Sequence, residues 1–449
     1  MKNLLIPAVF LLAFSSASAE EAFTFGSYGR IGVHTNDDGG QPLPVQVTQF
    51  GPRLLLGNYL EVDFGWKGWQ SKEAKVRIVT TLSLGNRFAH YDGDFDTGVG
   101  IRQAFVEAVD LWETPVYLLF GSRMARGDDI YLLNFWPLDN LNIVGGAVGY
   151  RTRRFQVEAI TGLNRVFDGY QIQRVAVPAI DFGAAEVEAL NRQRFINALK
   201  IGQEFGGQGE TLGMKWRLYS ELHYLAEGER ALDGSYTEKE SLPDDRGWLV
   251  GAQFGLWNFG QRGHLNLWLR YANGLGAFDE LQRPMGLNSE RRVDGTTEFR
   301  AAASGNLEVG QFAVMAGGYY RYFKDADPNE VDYDDGNEGA ISTRLLWLSG
   351  LFTPGIEVST QVRRPNGLNP RTRAQRTSQV TEIALIPALS FGDNPGSYTR
   401  PQLRFVAEWT LLNRGAREQY PEDDPRAHTD TAFFAGLQAE WWFGRGGGY

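Results

Sequence analysis

From Phe433 to Phe443 apolar and polar positions alternate. Phe433, Ala435, Leu437, Ala439, Trp441 and Phe443 fall on one side, and Phe434, Gly436, Gln438, Glu440 and Trp442 on the other. Successive side chains of a strand point to opposite faces, so this run predicts a strand with one continuous apolar face and one polar face. A soluble sheet hides its apolar face under a helix or a second sheet. A transmembrane barrel turns that face to lipid and its polar face to a lumen, with aromatics at the membrane surface. The same period recurs at 23–34, 51–65, 74–84, 101–111, 115–122, 143–152, 153–161, 194–201, 214–225, 246–258, 261–272, 296–304, 309–321, 341–350, 354–364, 380–391, 400–412 and 430–443, which predicts eighteen strands. Several reach the nine to eleven residues, approximately, that cross a bilayer at barrel tilt.

The links between these runs alternate in length. Long ones are predicted at 35–50, 85–100, 123–142, 162–193, 226–245, 273–295, 322–340, 365–379 and 413–429; short turns fall at Trp112–Thr114, Asn258–Gly260 and around Gly305–Asn306. Long extracellular loops on one rim and short periplasmic turns on the other are the habit of an outer-membrane barrel, which places both chain ends on the periplasmic side. Most long links are polar and Asp/Gly-rich, as in Asp325–Gly336, and suit a water-facing surface. The stretch 123–142 differs, mixing Arg123, Arg126, Asp128, Asp129, Asn134 and Asp139 with Tyr131, Phe135 and Trp136. Two readings stand for it, an inward loop that narrows the pore and an exposed loop with a Trp-Pro turn. The first suits a sugar path, because aromatic faces stack on a pyranose while Arg, Asp and Asn bond its hydroxyls.

Composition narrows the class. Lys2, the apolar run Leu4–Phe14 and Ala17-Ser18-Ala19 form a secretory signal peptide over 1–19, so the exported domain is expected to be 20–449. Beyond that segment the chain carries 43 basic and 54 acidic residues, a formal charge of −11, which argues against nucleic acid as a partner. There is no cysteine, excluding disulfides, Cys-ligated zinc and thiol catalysis. Motifs for serine hydrolases, P-loops and zinc proteases are missing and the five histidines are scattered, so no enzyme, no cofactor and no metal site is expected. Asp92, Asp94 and Asp96 begin like a calcium loop, but Gly98 comes one place late and Gln103 stands where the closing Glu belongs; the stretch reads as a solvated acidic loop.

Five places resemble the maltoporin family, the eighteen-stranded, trimeric, sugar-specific porins of Gram-negative outer membranes. Phe25-Gly-Ser-Tyr28-Gly-Arg30-Ile-Gly32 is similar to the family's opening strand, and Leu56-Gly57-Asn58 with Glu61 to its second. Arg102-Gln-Ala-Phe-Val106, the stretch from Gly121-Ser-Arg123 through Trp136 and Asp139, and Arg400-Pro401-x-x-Arg404 with Gly436-x-Gln438-x-Glu440-x-Trp442 follow in the family's order, while about 160–340 matches in rhythm only.

The resemblance implies a passive channel for sugars or oligosaccharides, embedded among outer-membrane lipid and lipopolysaccharide as a homotrimer. It places Tyr28, Phe352 and Trp442 on an aromatic path, with Trp136 at the constriction tyrosine. Arg30, Arg102, Arg126, Asp129 and Asn134 fall on its polar track, the last an amide where a carboxylate is usual. Asp63 and Val250 stand where path aromatics are expected, with Tyr59 able to restore the first; Phe88 or Tyr91 would be the aromatic lent to a neighbouring subunit. The competing readings are a general diffusion porin with ionic preference, and a secreted soluble β-protein such as a lectin or glycosidase.

Overall fold

The computed structural model describes residues 22–55, 57–85, 98–165, 171–176, 186–207, 211–232, 235–277, 286–328 and 332–444. The expected signal peptide (1–19), the Asp92–Asp96 stretch, Phe88 and Tyr91 lie outside them.

Eighteen strands form one closed sheet. They are β1 (Phe23–Asn36), β2 (Tyr59–Gln70), β3 (Lys75–Gly85), β4 (Val99–Val109), β5 (Val116–Arg126), β6 (Asn140–Arg151), β7 (Phe155–Arg165), β8 (Gln193–Gly206) and β9 (Gly213–Leu225). The second half comprises β10 (Asp245–Phe259), β11 (Gln261–Gly274), β12 (Thr297–Val309), β13 (Phe312–Lys324), β14 (Gly336–Trp347), β15 (Gly355–Pro365), β16 (Ser378–Ser390, broken at Pro387), β17 (Gln402–Leu412) and β18 (Thr431–Gly444). Each strand pairs antiparallel with its chain neighbour, and β1 meets β18 from Gly26↔Gly444 to Asn36↔Phe434, closing the ring. Closure satisfies every strand edge, which a sheet in lipid requires.

The alternation holds around the wall. On β18, Leu437 and Phe443 are 63% and 54% exposed, whereas Phe434, Gln438 and Glu440 are buried inward. On β12 the inward set is Glu298, Arg300, Ala302, Ser304, Asn306 and Glu308, all buried, against outward Phe299, Leu307 and Val309. Gly305 and Asn306 therefore sit inside a strand and not at a turn. Asn306 faces the lumen and donates to the Arg262 carbonyl (3.1 Å); the chain reverses instead at Gly310, in the left-handed region with φ +59°. Val250 also corrects an expectation. It is 45% exposed on the outer wall while its neighbour Leu249 is buried inward, so it is not a path position.

The interior is filled by chain that the strand pattern does not describe. Residues 51–55, 57 and 58, expected to be strand, belong to a first loop, after β1, that folds into the lumen. The second inward loop is Gly127–Asp139, shorter than 123–142 because β5 and β6 extend into it. A third intruder is the periplasmic connection 391–401, expected to be short. The loops at 166–192 and 226–244 carry two-stranded hairpins of their own, Ile172–Ala176 with Glu186–Asn191 and Gly228–Leu232 with Ser235–Leu242. No described helix is long and apolar enough to cross a membrane.

Candidate functional site

The Gly127–Asp139 loop crosses the lumen because both its ends and its apolar tip find partners there. Asp128 accepts from Lys215 (2.9 Å), Arg217 (2.7 Å) and Gln253 (2.6 Å) on β9 and β10, and Asp139 pairs with Lys200 on β8. Ile130, Leu132, Leu133, Phe135 and Leu138 are all buried. Two lumen glycines make the approach possible. A Cβ on Gly317 would lie 2.3 Å from Ile130 Cγ2, and one on Gly251 would lie 2.7 Å from Leu138 Cδ1.

The first loop packs on this one. Phe50 stacks on Phe135 with centroids 3.9 Å apart, and Tyr319 of β13 closes against both. The backbone N–H groups of Val47, Gln49 and Phe50 donate to Gln361, Glu338 and the Tyr319 hydroxyl, each at 3.1 Å. Two carboxylates act as hubs. Glu298 receives Arg270 (3.0 Å), Arg300 (3.0 Å) and Arg321 (2.7 Å), with the Arg300 guanidinium near the Phe50 and Phe135 rings. Glu440 receives Arg53 of the first loop (2.8 Å), Arg400 (3.0 Å), Arg404 (3.5 Å) and the Tyr131 hydroxyl (2.6 Å), which also accepts from Arg400. A buried carboxylate is stable only when ion pairs and hydrogen bonds replace its water, and both hubs meet that condition.

Between the inward loops and the β1, β2 and β4 wall lies a cavity of about 580 Å³, within the range of small-molecule sites. Tyr28, Trp136 and Trp442 line it, as do Arg30, Arg102, Arg126, Asp129 and Asn134. Eight of the nine residues singled out in the sequence thus meet at one place. Phe352 does not; it is half exposed in the turn between β14 and β15, bridged to Ser349 and Leu389. The cavity also takes Tyr59, whose hydroxyl donates to Glu61 and accepts from Arg102, while Arg102 pairs with Glu61 (2.9 Å). The Arg30 and Arg102 guanidiniums lie 5.2 Å and 5.5 Å from the Tyr59 ring centre; Arg126 lies 4.4 Å from Trp136 and Arg400 4.5 Å from Trp442. Asp63, the other departure on β2, is buried and accepts from Thr81 (2.5 Å).

Sequence reasoning did not assign Arg53, Tyr131, Tyr398 or Arg400 to the site. The period places Arg53 and Arg400 at the starts of predicted strands, 51–65 and 400–412, and leaves Tyr398 in the gap between two of them. The two loop aspartates behave oppositely. Burial raises Asp128, but Arg217 and Lys215 outweigh it and hold the carboxyl down at about 2. At Asp129 burial prevails over the attraction of Arg53, and the carboxyl is raised.

A closed barrel with an apolar outer wall, a polar lumen and loops folded into the passage is the architecture of a porin, a passive channel. The chain belongs to the LamB porin family, whose family model matches residues 23–443, and its place is the Gram-negative outer membrane. Among solved structures it is similar to the outer membrane channel DcaP of Acinetobacter baumannii, at 9% identity over 94% of this chain and 96% of that one, TM-score 0.48. It is also similar to OccD3 (OpdP) of Pseudomonas aeruginosa, at 10% identity over 94% and 92%, TM-score 0.47. No curated protein matches the sequence.

Proposed function

We propose that this porin passes saccharides through the cavity beside the Gly127–Asp139 loop. The observation that carries the reading is the meeting of Tyr28, Tyr59, Trp136 and Trp442 with Arg, Asp and Asn side chains in one cavity. Aromatic faces offer the apolar side of a sugar ring a surface, and the polar groups replace the water on its hydroxyls. Each contact is weak and there are several, so a solute can bind on entry and still leave. Asp128, Asp139 and the two carboxylate hubs hold the loop, while the cavity residues do the contacting. The same reading takes the channel as a homotrimer, to be tested by its mass in mild detergent.

The test is single-channel current in a planar bilayer, titrated with neutral and charged oligosaccharides. Saturable block by a saccharide is the expected result. Ohmic current unaffected by any saccharide would instead support a general diffusion porin whose aromatics are structural.

A further inference from the structure

Four arginines, Arg30, Arg53, Arg102 and Arg126, line the cavity against two carboxylates, Glu61 and Asp129. Arg53 and Arg400 share Glu440, and Arg102 holds Glu61. Arg30 has no such partner among the described residues. Its Nε donates to the Gly57 carbonyl (2.9 Å) and its Nη1 to the Tyr28 hydroxyl (3.1 Å), both neutral acceptors, and its guanidinium lies beside the Tyr59 ring. Asp129 is the remaining carboxylate of the cavity, and the guanidinium whose charge acts on it is that of Arg53, not of Arg30. The acidic side chains Glu382 and Glu408 do not offset this. They line a separate cavity of about 290 Å³ behind the first loop, which shares no lining residue with the arginine cavity.

A guanidinium supplied with neutral acceptors keeps its charge in a partly dehydrated space, where an anion is worth more to it than in water. We infer that the preferred solute is an anionic saccharide, its acidic group received by Arg30 at the edge of Tyr59 and its ring carried by the neighbouring aromatics. This rests on the saccharide reading above and narrows its substrate class. A carboxylate and a phosphate share the required chemistry, and Arg binds both in the same planar fork.

The test compares block of the reconstituted whole channel by trigalacturonate, its neutral methyl ester, maltotriose phosphate and citrate. Trigalacturonate is expected to block at about tenfold lower concentration than its ester, the scale of one charge-assisted contact. Phosphate matching or exceeding the uronate would mark the anion site as a phosphate site, in support of the inference. In Arg30→Gln the acid-to-ester ratio should fall toward one, whereas Arg30→Lys should keep most of it, which separates charge recognition from a damaged barrel. Equal block by acid and ester in the unaltered channel would overturn the inference and leave the saccharide reading standing. Block by citrate as strong as by trigalacturonate would show that charge alone suffices and overturn it too. No block by any saccharide would remove both.

Discussion

Glu440 ties together four separate parts of the interior. It draws together Arg53 from the first loop, Tyr131 from the constricting one, Arg400 from the periplasmic connection and Arg404 from the wall. Glu440→Gln leaves those guanidiniums without their counter-charge and should cost about 3–5 kcal/mol. The check is the temperature at which the folded band shifts its gel mobility, which should fall. Trp442→Ala removes an aromatic face and should weaken saccharide block by about 1 kcal/mol, roughly fivefold, in a barrel that still folds. Block equal to that of the unaltered channel would take Trp442 out of the site. The aspartates give a pH signature. Asp129, raised by burial, protonates first as pH falls, above the ordinary carboxylate value of about 3.9. Asp128, lowered to about 2, keeps its charge, and with it the tether to Lys215 and Arg217, until the pH falls through that value. Acidification from neutrality should therefore raise anion preference, read from reversal potentials, before it changes conductance.

At the scale of elements, the two inward loops act as one body joined by the Phe50–Phe135 stack. Replacing 130–138 with a short glycine-serine link should raise single-channel conductance, and so should excising 42–55; either variant conducting like the parent would show that its loop does not set the aperture. The strands were legible because each meets two different media, and the period-two pattern records that difference directly. The loops were not. Val45 and Val47 are buried and Phe50 half-buried inside the lumen, although 35–50 reads as a water-facing link, and Leu54, at the start of the predicted strand 51–65, belongs to the same inward loop. Gly305–Asn306 imitates a turn because a lumen-facing Asn and an outward Gly satisfy a barrel wall as well as a reversal does. The site residues were legible through a whole-chain resemblance and not through local pattern. Arg53, which pairs with Glu440 far along the chain, has no local mark at all.

At the scale of the whole molecule, the fold separates a wall from a filling. The wall is held by a closed ladder of backbone hydrogen bonds, so its strength depends less on cavity side chains such as Arg30 and Trp136 than on buried hubs such as Glu440. Substitutions among the cavity residues should therefore alter solute preference while leaving resistance to detergent nearly intact, to be checked by gel mobility without boiling. The filling is wired differently. Arg53 lies early in the chain and Glu440 near its end, and their contact can form only when β1 and β18 have come together. During assembly this tie between the first loop and the last strand is therefore made only after the seam has shut. A barrel with an open seam would leave the first loop without its tie to Glu440, and a noisier conductance should report it. Such a chain carries its own proof of completion, since a quiet pore is evidence that both ends have met.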